Sequence, residues 1–359
     1  MQNAQQLSPQ AEGLLHKFTT ELAKSYGVRD TSKFFAITPP KETLLRQALL
    51  ESSEFLRLVN VRDVQQTTGQ VVSTGKPGIY TGRKKGGRYQ RPLGVDGNTY
   101  SLAETDSGSF LDYNTLTNWA NSGSEDEFFQ LIQAFSNEQF ALDMLRVAFN
   151  GISAAENTDP EANPNGEDVN IGWHQIVKTR SPGQIITDEV TLGGAGADYV
   201  SLDAAVTDLL HTCILEHYRN DPNLCVLISG DLIGKDATTM MNMVDRPTEK
   251  VAAQLMNRQI AGKQVYTPPF MPEGRLIITT LSNLHIYTQA GTRKRKADWS
   301  DDRKQFENSY LRMEGYAVEH DELYAAFDKI TLAGDAPVPD QAPVQDQTPV
   351  QDQEPEGSE

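Results

Sequence analysis

The sequence predicts an α+β chain in which compact units are joined to long extended segments. Three observations carry this. Residues 124–149 read as one long helix, residues from Tyr199 onward alternate helix and strand signals, and residues 62–110 hold few large aliphatic side chains. Bulk properties agree with that division. Only 38% of the 359 residues are hydrophobic, and the mean hydropathy is −0.49. Both values are low for one closed globule and suit a chain with arms and a polar tail. The length allows two or three folding units.

The first element is an amphipathic helix over residues 8–26. Ser8 can cap it and Pro9 fits its first turn. Leu14, Leu15, Phe18, Leu22 and Tyr26 fall near one face. Asp30-Thr31-Ser32-Lys33 interrupts the pattern. A second helix begins at Thr38-Pro39-Pro40 and is expected to run to about Val59, with Leu45, Leu49, Ser52, Phe55 and Leu56 as its stripe.

Residues 62–110 are rich in Gly, Thr, Ser and Arg. Gly75-Lys76-Pro77-Gly78 and Asp96-Gly97-Asn98 are turn signals, while Val71, Val72, Ile79 and Tyr100 favour strand. Such a segment cannot form its own core. Read as a two-stranded hairpin, limbs of about 20 residues reach roughly 65 Å. A ribbon of that kind is marginal alone and needs a partner surface. A disordered insertion is the alternative.

The long helix opens on a capping box, Ser124 with Glu127. Its stripe is Phe128, Ile132, Phe135, Leu142, Leu145 and Phe149, and Asn150-Gly151 stops it. Its length is about 37 Å. Ser201 then caps a helix whose face is Leu202, Val206, Leu209, Cys213 and Ile214. Asp221-Pro222-Asn223 turns the chain into a buried strand at residues 224–228. A further helix fits residues 251–260, and strands fit 275–280 and 284–288. Residues 310–320 and 323–332 alternate well enough to close the fold as a pair.

The tail repeats every six residues: Pro337-Val338-Pro339-Asp340-Gln341, Pro343-Val344-Gln345-Asp346-Gln347 and Pro349-Val350-Gln351-Asp352-Gln353. This composition cannot form a core. It fits a solubilising tail or a docking strip. After Lys329 there are seven acidic residues and no basic one, within a chain of net charge −17. An acidic chain is a poor non-specific DNA binder.

Chemistry-bearing motifs are scarce. The two cysteines, Cys213 and Cys225, lack metal-type or redox-type spacing and read as reduced residues of a cytosolic protein. His211, Cys213 and His217 are the closest grouping. Positions two apart on a helix face away from each other, so His211 and Cys213 cannot share a metal. Gly69 to Gly75-Lys76 departs from a phosphate loop in spacing, and Pro77 stands where a hydroxyl should hold magnesium. Gly193-Gly194-Ala195-Gly196 reads as a turn, and Trp119 and Trp173 as packing residues. No catalytic residue, cofactor or metal site is expected, and no hydrolase elbow is present. No signal peptide is visible, and no apolar run approaches the ~18 residues that span a bilayer.

Two basic clusters remain. Arg83, Lys84, Lys85, Arg88 and Arg91 lie in the expected hairpin with Tyr80 and Tyr89 interleaved. Arg293-Lys294-Arg295-Lys296 precedes Trp299. Contact with acidic surfaces of neighbouring copies, plain solvated loops and single-stranded nucleic acid are all open readings.

Five phrases in order complete the reading: Gln47-Ala48-Leu49-Leu50-Glu51-Ser52-Ser53-Glu54-Phe55-Leu56, Phe149-Asn150-Gly151, Asp168-Val169-Asn170-Ile171-Gly172-Trp173, Asp198-Tyr199-Val200-Ser201-Leu202-Asp203-Ala204 and Asp221-Pro222-Asn223-Leu224. Together they resemble the major capsid proteins of Peduovirus-type (P2-like) tailed bacteriophages. The resemblance runs from about Phe34 to Leu332. It implies the HK97-like capsid fold, an α+β fold. The expected parts are a leader at 1–35, an N-terminal arm at 36–61, an extended loop at 62–110 and a peripheral domain at 111–199 containing the spine helix. An axial domain at 200–290, a return at 291–332 and a tail at 333–359 follow.

The resemblance also implies a homo-oligomeric shell of hexamers and pentamers, enclosing double-stranded DNA without reading its sequence. It implies a scaffolding protein, a portal, and a maturation protease cutting near Phe35-Ala36. It implies location in the virion after assembly in the host cytoplasm, with no membrane partner. Within it, Arg83, Lys84, Lys85, Arg88 and Arg91 would touch neighbouring copies. The competing classes are another virion protein such as a tail tube, an encapsulin-type cargo shell, and a transferase on the α/β part. The last lacks a phosphate loop.

Overall fold

The computed structural model describes residues 7–51, 53–71, 81–90, 97–122, 125–193, 196–234, 259–300 and 302–332. Helix α1 (Pro9–Tyr26) begins where the Ser8 hydroxyl accepts from the Ala11 amide at 3.2 Å, and Gly27 ends it in the left-handed conformation. Strand β1 (Phe35–Ala36) leads into α2 (Pro39–Glu51). This helix is shorter than the expected run to Val59. Phe55 and Leu56 are buried as predicted, and Val59 with them, but on turns that feed β2 (Asn60–Val64). Pairing of β2 with a distant strand competes with the helix and wins.

Strands β3 (Thr68–Gln70) and β4 (Thr99–Ser101) pair antiparallel, so the base of the expected hairpin exists. Its far limit is corrected. Residues 103–110 belong to β5 (Ala103–Asp112), which lies along a central sheet. Helix α3 (Tyr113–Ser122) follows, then α4 (Glu125–Asn150), 26 residues long. Ser124 and the side chains of Trp119, Phe128 and Phe135 lie outside the described residues. Helix α5 (Trp173–Arg180), strands β6 (Ile185–Ile186) and β7 (Val190–Leu192), and helices α6 (Leu202–Thr212) and α7 (Glu216–Arg219) come next. Ser201 caps α6 through the Ala204 amide, as predicted.

The remaining strands are β8 (Leu224–Ile228), β9 (Gln259–Ile260), β10 (Lys263–Tyr266), β11 (Leu276–Thr280), β12 (Leu284–Gln289), β13 (Lys294–Ser300), β14 (Gln305–Val318), β15 (Ala325–Phe327) and β16 (Ile330–Leu332). Except for β16, which pairs with β7, they join earlier strands in two six-stranded sheets. One has the order β1-β13-β14-β12-β2 with β5 also on β14, and the other β6-β15-β11-β8-β10-β9. The expected helix at 251–260 lies outside the described residues except for its last two, which form β9.

Two expectations are corrected by this topology. The strands at 310–320 and 323–332 do not pair with each other. β14 is occupied by β13, β12 and β5, and a 3-10 turn at Asp321–Leu323 carries the chain into the other sheet. The segment 200–290 is also not one sheet unit. β12 joins the first sheet, while β6 and β15, from outside that segment, complete the second. Alternation reports that a strand is half-buried but not which strand lies beside it.

The two cores share strands. Cys225, Leu227 and Ile277 face α4 and α5, packing with Leu145, Phe149, Trp173 and Tyr316. Their sequence neighbours Val226, Ile228, Leu276 and Ile278 face α6, packing with Val206, Leu209 and Phe327. The period-2 alternation of β8 and β11 therefore serves both faces, which is why these strands read as unbroken apolar runs.

Two quoted phrases meet at one joint. At the end of α4 the Gly151 amide donates to Val147 O at 2.8 Å, and the Gly172 amide donates to Gly151 O at 3.0 Å. A Cβ on Gly151 would sit 2.1 Å from Asn170 O, and one on Gly172 would sit 2.5 Å from Ala148 O. Only glycine permits the two backbones to approach this closely.

Candidate assembly surfaces

The ribbon base is anchored. The Val71 amide donates to Asn98 O at 2.8 Å, Val71 is fully buried, and the rings of Tyr100 and Tyr287 lie 4.8 Å apart. Beyond the base, residues 81–90 form turn and irregular backbone, and all are exposed. Arg83, Lys84, Lys85 and Arg88 have no ion pair among the described residues. Arg91 and Tyr80 lie outside the described residues, as do Lys76 and the tail at 333–359.

The second basic cluster is a different object, and the surface readings are corrected for two of its members. Strand alternation sends Arg293 and Arg295 inward, with 2% and 4% of their surface exposed, and leaves Lys294 and Lys296 facing out. The Arg293 guanidinium lies 3.3 Å from Glu42, itself buried on α2, and also pairs with Asp63. Arg295 donates to Asn308 Oδ1 at 3.3 Å and to the Tyr26 hydroxyl at 3.1 Å. These arginines fasten the N-terminal segment to β13. Nothing local in the sequence marks partners some 250 positions away.

Next to them lies the Phe35-Ala36 link. Strand β1 is the end strand of its sheet and pairs antiparallel with β13 in the register Phe35↔Arg295 and Ala36↔Lys294. Phe35 is buried, 5.4 Å from the Tyr26 ring, while Phe34 and Ala36 are exposed. Helix α1 upstream is fully seated. Ala11, Leu15, Phe18 and Leu22 pack on Tyr113, Leu116, Ala297 and Phe306.

Sequence reading missed a half-buried ionic hub. Asp328 lies 2.8 Å from His174 Nε2, 2.5 Å from Lys178 Nζ and 3.0 Å from Arg275 Nη2. The contact with His174, then those with Lys178 and Arg275, hold its carboxyl far below the usual range, against the opposing effect of burial. Burial lowers the pKa of His174. A second joint sits at the passage from β14 to β15, where Arg180 Nε donates to Asp321 Oδ2 at 2.8 Å and Arg180 Nη2 to Val318 O at 2.9 Å. Polar residues scattered along a sequence give no sign of such convergence.

The groups weighed for chemistry are apart. Cys213 and Cys225 are buried free thiols, and burial pushes Cys225 up to about 12. His211 and His217 are exposed. Gly193 and Gly196 both have positive φ, as the turn reading expects. Trp173 is a packing residue, its indole donating to His285 O at 2.8 Å. Among the described residues no group of three or more His, Cys, Asp or Glu could hold a metal. No described helix is long and apolar enough to cross a membrane.

The family to which the chain belongs is decided by comparison. Residues 14–330 match the sequence model of the family described as phage major capsid protein, P2 family. The chain belongs to that family. It is 28% identical over 327 residues to a protein of Escherichia phage P2 described as "Capsid proteins", covering 86% of this chain and 90% of the relative. It is 27% identical over 316 residues to the major capsid protein of Serratia phage KSP20, covering 83% and 90%. Among solved structures, a chain of the satellite phage P4 procapsid that includes the size determination (Sid) protein superposes with a TM-score of 0.72. The identity there is 25%, with 89% of this chain and 97% of that chain covered. The fold is the HK97-like capsid fold, and the chain is a structural component of the virion that assembles as an oligomer, not an enzyme.

Proposed function

We propose that this chain builds the icosahedral head shell as hexamers and pentamers, around DNA delivered through a portal and with a scaffolding protein inside. In this reading assembly takes place in the host cytoplasm. Residues 36–61 act as an arm, the ribbon as the extended loop, α4 as the spine of a peripheral unit, and the sheet built on β8 and β11 as the axial unit. Membership of the capsid family favours this over a tail tube or a cargo shell.

The observation that carries the contact role is the exposed turn at residues 81–90. Four cations stand on this turn with no ion pair to the described part of their own chain. Many modest contacts of this kind let misplaced subunits leave, while linkage holds the finished shell. Replacing Arg83, Lys84, Lys85, Arg88 and Arg91 with Ser is expected to cut particle yield while leaving the subunit Tm unchanged. Normal yield and robustness would remove the turn from the account.

The leader, residues 1–35, would be cut from the arm by a maturation protease near Phe35-Ala36. The position of β1 at a sheet edge supports this, because an edge strand can be peeled into an extended substrate more readily than a central one. Mass spectrometry of mature heads showing an intact N-terminus would contradict it.

A further inference from the structure

The contact proposal leaves open where the basic turn lands. A cavity of about 380 Å³ lies between β5, the C-terminal half of α4 and the loop of residues 158–170. Its wall sets four carboxylates, Asp106, Asp143, Asp168 and Glu314, against two guanidinium groups, Arg146 and Arg312.

Two of the carboxylates are satisfied within the wall. Glu314 takes Arg312 Nε at 2.5 Å and the Tyr316 hydroxyl at 2.9 Å. Asp168 accepts from the Asp159 amide at 2.7 Å and from Asn163 Nδ2 at 3.1 Å. The other two are not. Asp143 has Arg146 at 3.6 Å, and Asp106 has no ion pair among the described residues. Both face solvent, Asp143 with 51% of its side-chain surface exposed; partial burial raises the pKa of both, against the opposing charge of Arg312 and, for Asp143, of Arg146.

The wall has two further open valences. Arg146 Nε is buried with no hydrogen-bond partner, a costly arrangement unless an acceptor arrives. β5 pairs with β14 along one edge and has no strand on its other edge among the described residues. A cavity with two solvent-facing carboxylates, an orphan donor and an uncovered strand edge fits a basic peptide turn. A cation would lie by Asp106 and Asp143, and a backbone carbonyl would face Arg146.

This chain carries such a turn at residues 83–88, where it is exposed and its cations have no ion pair among the described residues. We propose that the cavity is the socket for the basic turn of a neighbouring copy. The inference rests on the shell reading and adds the receiving surface to it. Charge complementarity selects the occupant and sets the register between subunits.

A charge-swap experiment on the full-length chain tests it. One variant carries Asp106→Lys and Asp143→Lys. The other carries Arg83→Glu, Lys84→Glu, Lys85→Glu and Arg88→Glu. Each alone is expected to lower the yield of sedimenting shells about tenfold, and the combination to recover most of it. Rescue is something a folding defect does not give. A second readout bypasses charge: Lys84→Cys with Pro160→Cys on the cavity rim should form disulfides between subunits in oxidised shells. Cys213 and Cys225 are buried and stay silent.

Shells that form normally but show neither rescue nor cross-link overturn the socket and leave the shell reading standing. A turn variant that lowers retained DNA without lowering shell yield also overturns it, in favour of a nucleic-acid contact. No shell from the unaltered chain would overturn the reading on which the socket rests.

Discussion

Arg293 shows how the two ends of this chain are joined. A guanidinium 2% exposed faces Glu42 and Asp63 across more than 200 positions. Removing one partner of a buried pair leaves the other charged and dry. Arg293→Met is therefore expected to cost about 3–5 kcal/mol, and the double variant with Glu42→Gln less than the sum of the singles. Denaturant unfolding of the four proteins measures this.

The Asp328 hub makes a prediction about pH. Its carboxyl is depressed in the folded state, so the stability it contributes is present above the unfolded value near 3.8 and fades as pH falls further. Asp328→Asn should be much less stable than the unaltered chain at pH 7, and the gap should narrow below about pH 4. His174 acts in an earlier window. Burial lowers its pKa from 6.5, so the unfolded chain binds the extra proton and stability falls as pH drops below that value. A His174→Gln variant should show a flatter Tm profile between about pH 6.5 and 5.

Elements were legible where the signal is local. Ser8 and Ser201 caps, the 26-residue α4 and the apolar run of β8 all stand where composition and spacing place them. The element that was misread is α2. Its apolar spacing continues through Phe55 and Leu56, but the chain leaves the helix after Glu51 to reach a parallel pairing with β12. Periodicity marks which side chains are buried and is silent on which backbone carries them.

The Gly151 joint lies between these cases. Asn150-Gly151 read as a helix stop, yet the glycine is also needed because the segment at Asn170-Gly172 crosses it in contact. Gly151→Ala is expected to destabilise the subunit by about 1–3 kcal/mol through overpacking, read as a lower Tm. An unchanged Tm would mean that the crossing yields without strain.

At the scale of the molecule, sheet membership was not legible. Consecutive strands such as β11 and β12 fall in different sheets, and β14 serves three neighbours. Local alternation cannot encode that choice, because it depends on what the whole chain brings alongside. Of the candidate surfaces, sequence marked the exposed basic turn. It could not mark the socket, whose walls come from β5, α4, β14 and the loop at 158–170.

The central claim is that a chain of this form closes a shell through crossing contacts. Electron microscopy of the full-length protein, co-expressed with its candidate scaffolding protein, tests it most directly. Closed icosahedral particles of uniform size, with the ribbon of each subunit laid over its neighbour, are the predicted result. Only monomers or open tubes from the same preparation would contradict it.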